Sequence, residues 1–173
     1  MEGDKRRAAR EEQVERAFAE VATSDGWSPD IEWFAADRDG HVALLATAGL
    51  GPVPRAALAN ARGHVAVWEA IEKLHPAAGH AGLGWELFDR AGQLGLFSYD
   101  YSAQGQNYGM YEDGQPYRRV GTPQRAITLD VLGDRARSYL AGIQTTAVCF
   151  AETDSLIAER GFRDVHHPAR WDR

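Results

Sequence analysis

Three side chains capable of acid–base or ligand chemistry, Asp37, Asp39 and His41, fall within five residues of one short polar turn. They sit inside "EWFAADRDGHVALLATAGLGPVP", Glu32 to Pro54, where two apolar runs flank the turn and a Gly/Pro-rich exit follows. A histidine beside carboxylates can act as a general base, and two carboxylates facing one cleft can divide acid and base roles as in glycoside hydrolysis. The same residues also suit a hairpin, because Asp caps turns and Gly40 adopts positive φ freely. A second stretch decides between these readings. "WELFDRAGQLGLFSYD", Trp85 to Asp100, aligns without gaps on "WFAADRDGHVALLATA", Trp33 to Ala48. Trp, the first Asp, Arg and Gly persist, while Asp39 becomes Ala91 and His41 becomes Gln93. What persists is what a turn needs, so both stretches are expected to be hairpins whose spare charges face a partner.

Other chemistry finds less support. No G-x-S-x-G nucleophile elbow occurs, and the single cysteine, Cys149, lies in the apolar run "TTAVCF", as expected of a buried, reduced thiol. Of the six histidines, His41, His64, His75, His80, His166 and His167, no pair falls in a zinc-binding frame. The glycines of "GLGP" and "GHAGLGW" lack the lysine of a phosphate-binding loop. The sequence thus leads to no expected catalytic residue, metal ligand or cofactor.

The strongest recognition signal is "FSYDYSAQGQNYGMYEDGQPY", which holds five tyrosines and three acids from Tyr99 to Tyr117. Tyrosine gives large contact area at low entropic cost, and Asn, Gln, Ser and Gly supply adaptable polar contacts. Tyr99 and Tyr101 should share one strand face with Phe97. These tyrosines can equally pack over the edge of a sheet. Asp37, Asp39, Asp100, Tyr101, Tyr108, Tyr111, Glu112 and Asp113 are the expected partner contacts. The charge layout agrees: residues 23–54 and 83–115 each hold five acids and one base, whereas 116–173 hold nine Arg against seven acids. A net charge of −6 argues against a nucleic-acid partner, which needs a basic face. An alternative is an enzyme or small-molecule binder with His41, His64 and Asp37 lining a pocket under the sheet.

The elements that must position these residues follow from periodicity. Residues 4–22 read as a helix with Val14, Phe18 and Val21 in a stripe, and 1–24 as a helical extension of a single domain spanning 25–173. "VPRAALANARGHVAVWEAIEKLH" reads as one amphipathic helix in which Gly63 admits a close neighbour. A third hairpin turns at "EDG", residues 130–141 form a short helix, "IQTTAVCFAE" a buried strand and "TDSLIAERG" a last helix. The expected fold is α+β: an antiparallel, meander-like sheet of hairpins with helices on one face and an N-terminal helix. No run approaches the roughly 18 apolar residues of a membrane helix, and the N-terminus lacks a signal-peptide centre, so a cytoplasmic protein is expected.

The strand-turn-strand at 33–54 and the later "YRRVGTPQRAITLDVL" together resemble small bacterial proteins similar in style to the immunity proteins of polymorphic toxin systems. The shared features are an aromatic-Asp-x-x-Gly turn, a Gly-x-Pro exit and a Tyr-Arg strand entering a Pro-containing loop. The resemblance spans about residues 31–55 and 108–150 and transfers no functional residue. It implies an acidic, non-enzymatic α+β protein that neutralises a toxin by occluding its active surface.

Overall fold

A computed structural model describes residues 2–24, 28–76, 86–101 and 116–168. Two layers build the domain. Helix α1 (Glu2–Thr23) and α3 (Ala61–Leu74) lie against each other, joined by Arg10 to Glu72 (3.0 Å), and α5 (Asp134–Ala141) packs on α3. Beside them lies a five-stranded sheet ordered β1 (Glu32–Ala36), β2 (Val42–Ala46), β4 (Phe97–Asp100), β5 (Tyr117–Gly121) and β6 (Ser155–Leu156). A separate antiparallel pair joins β3 (Val53–Pro54) to β7 (Val165–His166). No described helix is long and apolar enough to cross a membrane.

Strands β1 and β2 carry near-continuous apolar runs because both faces of the sheet are covered. One face sets Phe34 against Trp68 and His64 of α3; the other sets Trp33 against Tyr117 and Phe162. Phe18 and Val21 of α1 belong to this same core. The N-terminal helix therefore contributes buried surface rather than lying loosely on the domain.

The first hairpin forms as expected, with Trp33 opposite Leu45 and Gly40 at φ 81°. The second does not. Residues 86–93 are helix α4 (Glu86–Gln93), with Gly92 inside it and Gly95, at φ 83°, taking the left-handed position just beyond its end. Ala91 and Leu94 are buried on it, three residues apart, and this helical spacing overrides the turn-like Asp-Arg-x-Gly. The chain consequently returns in β4 parallel to β2, Ala43 opposite Phe97, so the sheet is mixed and not an antiparallel meander. Strand β5 runs antiparallel to β4, Tyr99 opposite Arg119; the "EDG" turn and the strand expected before it lie outside the described residues.

Further departures are local. The long helix expected after Pro54 breaks at Ala59–Asn60 into α2 (Arg55–Leu58) and α3, where the Asn60 side chain accepts from Gly63 N and starts a new helix. Residues 143–152 are a loop held to the sheet by one isolated bridge, Ala36 to Gln144, and the Thr145 hydroxyl accepts from Ala147 N in a local turn that competes with a ladder. The last expected helix divides into β6 and the single turn α6 (Ala158–Gly161).

Candidate functional site

The sequence-derived contact residues separate to opposite ends of the sheet. Asp37 ends the β1 side of the first turn, next to the start of β4, whereas Asp100 and Tyr101 stand where β4 finishes. Four residues of β4 at about 3.3 Å each put roughly 13 Å between these ends. Tyr108, Tyr111, Glu112 and Asp113 lie outside the described residues. Tyr101 is 3% exposed and packs edge-on against Tyr117 at 5.2 Å; Phe97 and Tyr99 share its strand face, as alternation requires.

At the first end, Asp37 is fully buried and its carboxylate is saturated. Oδ1 accepts from Asp39 N (2.9 Å) and His41 N (2.8 Å); Oδ2 accepts from Phe150 N (2.7 Å) and meets His41 Nδ1 at 3.1 Å. The Asp37 carbonyl also accepts from Gln144 Nε2 at 2.9 Å. This one side chain therefore ties the first turn to the 143–150 loop more than a hundred residues later. Asp39 remains half-exposed, with the Arg38 Nε at 3.8 Å from its Oδ2. Burial and a hydrogen bond to Asp39 raise the Cys149 thiol above its ordinary value, the opposite of what a nucleophile needs.

At the second end, the register aligns Glu32, Ala46, Asp100 and Arg118 in one row across four strands. Residues directly opposite share a face, so Glu32 and Asp100 flank the small Ala46. Asp30 precedes them and accepts from the Thr47 hydroxyl at 3.3 Å. Burial, and then the charge of Asp30, push the Glu32 carboxyl up to about 7 against the pull of Arg10. Asp30 rises as well, through burial and the charge of Asp100. Asp30 thus repels both Glu32 and Asp100 where the chain leaves β4 for the tyrosine-rich segment, with Arg118 opposite Asp100 in the row. Sequence reasoning weighed Asp100 but passed over Asp30 and Glu32. The signal available was their position at the start of β1, which only the strand register converts into proximity to Asp100.

The pocket alternative fares differently. His64 is enclosed by Phe18 (5.2 Å), Phe34 (5.0 Å) and Tyr139 (6.4 Å between ring centres), and burial drives its pKa down to about 3. It is a core residue and does not join His41 and Asp37. A groove of about 900 Å³, lined by Leu74, Gln93, Arg125, Thr128 and Val131 among others, includes none of the three.

Compared with family models, with characterised proteins and with solved structures, the chain matches none.

Proposed function

We propose that the protein is a non-enzymatic binding protein of the immunity type, cytoplasmic, which occludes a basic surface of a protein toxin. The reading rests on one observation: Asp30, Glu32 and Asp100 converge at the end of the sheet from which the tyrosine-rich segment departs. Carboxylates held together against burial and mutual repulsion are relieved by an incoming Arg or Lys, so the free protein stores unfavourable electrostatics that a basic partner removes. The Tyr, Asn and Gln residues that follow Tyr101 in sequence would supply contact area to the same partner. Glu112 and Asp113 add acid to the same chain segment. Asp37, Asp100 and Tyr101, expected as partner contacts, act in this reading as supports, because all three are buried, and Asp30 and Glu32 are the carboxylates a partner reaches.

The test is capture of a partner from lysate of the native host by the wild-type chain and by an Asp30→Lys/Glu112→Lys/Asp113→Lys variant. A toxin identified in the wild-type capture, weakened at least tenfold for the variant at equal thermal stability, supports the reading. Equal binding by both chains overturns this surface.

A further inference from the structure

The opposite end of the sheet carries a second, independent constellation. One donor atom each from Asp37, Asp39, His41 and Cys149 lies within 4.8 Å of the other three. Ligands around a tetrahedral zinc stand roughly 3.3–3.8 Å apart, given metal–ligand bonds of about 2.0–2.3 Å. Drawing Asp39, Cys149 and one ring nitrogen of His41 onto one ion therefore takes side-chain movements of about an ångström, with a turn of the imidazole where Nε2 is the ligand.

The hydrogen bonds divide the four residues into two roles. A carboxylate offers about four lone-pair positions, and Asp37 fills them with three backbone N–H groups and His41 Nδ1. It has none left for a metal. Its contact with Nδ1 instead fixes the His41 tautomer that carries its proton on Nδ1, leaving the Nε2 lone pair as the ligand, the arrangement in which an outer carboxylate orients a metal-bound imidazole. Asp39 is half-exposed, His41 a quarter exposed and Cys149 almost wholly buried, so an ion would enter from the turn side and meet the sulfur last.

We propose that Asp39, His41 and Cys149 form a three-ligand site for a divalent transition metal of the zinc class, with Asp37 as the positioning residue for His41. One oxygen, one nitrogen and one sulfur donor suit zinc or cobalt and disfavour magnesium and calcium, which take all-oxygen shells. Three protein ligands leave a fourth position to water. On binding, the Cys149 S–H proton passes to solvent and the thiolate bonds to the metal, which offsets the surrounding carboxylate charge. The metal also bridges the first turn to the 143–150 loop, reinforcing the link that Asp37 makes.

The experiment titrates the full chain with Co²⁺ and with Zn²⁺ against a chromophoric chelator, for wild type, Asp39→Asn, Cys149→Ser and His167→Gln. The expected result is one ion per chain with a thiolate-to-cobalt charge-transfer band. Cys149→Ser should abolish the band, Asp39→Asn should weaken Zn²⁺ binding about ten- to a hundredfold, and His167→Gln should leave both unchanged. If Cys149→Ser fails to fold, the half-exposed Asp39→Asn carries the affinity test and the wild-type band reports the sulfur. No band with saturating Co²⁺, or equal Zn²⁺ affinity in wild type and Asp39→Asn, overturns the site.

Discussion

Replacing Glu32 by Gln should make the protein more stable at neutral and alkaline pH and leave its acid stability nearly unchanged. Glu32 rises from an ordinary 4.5 to about 7 in the fold, because burial and the charge of Asp30 outweigh the attraction of Arg10. Between these values the folded chain binds more protons than the unfolded chain, so Glu32 lowers stability as pH climbs from about 4.5 to about 7, and the full cost persists above. At 1.36 kcal/mol per tenfold change in proton affinity, that cost is about 3 kcal/mol, an upper figure because Glu32 is only partly buried. Glutamine keeps the shape and removes the charge. Urea denaturation of wild type and Glu32→Gln at pH 4, 5, 6, 7 and 8 should give curves that diverge with rising pH, the variant being about 2–3 kcal/mol the more stable at pH 8. Curves that stay parallel from pH 4 to 8 would refute the carboxylate row as an electrostatically strained centre.

Four other outcomes follow from the packing. Gly63→Ala should lower stability by about 1–3 kcal/mol despite the roughly 1 kcal/mol helix advantage of Ala, because the added Cβ meets Tyr139 at 2.6 Å; denaturant midpoints measure it. His64→Leu should flatten the acid limb: burial holds His64 near 3 against 6.5 unfolded, so wild type loses about 3 kcal/mol as pH falls from 7 to 4.5, and the variant keeps it. Tyr101→Ala should cost about 3–5 kcal/mol of stability as a core truncation, seen as a fall in melting temperature before any partner is added. Asp37→Ala strands three backbone N–H groups and should cost about 3 kcal/mol or more, with hydrogen exchange at Asp39, His41 and Phe150 accelerating together.

Local signals carried the parts of the fold that depend on neighbours in sequence. The first hairpin, the Trp68 face of α3 and the Ala136–Tyr139 face of α5 all read correctly, because spacing alone sets which side is buried. Gly63 read correctly as a point of close approach, and Tyr139 is its neighbour. The echo of the first turn at 85–100 misled, since matched turn residues say nothing about the apolar spacing of Ala91 and Leu94 that makes α4. The parallel pairing of β2 with β4 depends on α4 carrying the chain back across the sheet, so an expected hairpin at 85–100 hides it. The candidate centres needed the fold itself. Glu32 and Asp100 fall in one row only through register on either side of β2, and Cys149 reaches His41 only through the loop that Asp37 anchors.

Engagement of a basic toxin surface by the carboxylates at the end of the sheet would be read out as neutralisation. The toxin captured by the chain is assayed for cell killing in the presence of wild type and of the Asp30→Lys/Glu112→Lys/Asp113→Lys variant. Wild type should suppress killing, and the folded variant should require at least tenfold more protein to do so. Equal protection by both chains, or killing unaffected by wild type at saturating binding, would contradict that engagement.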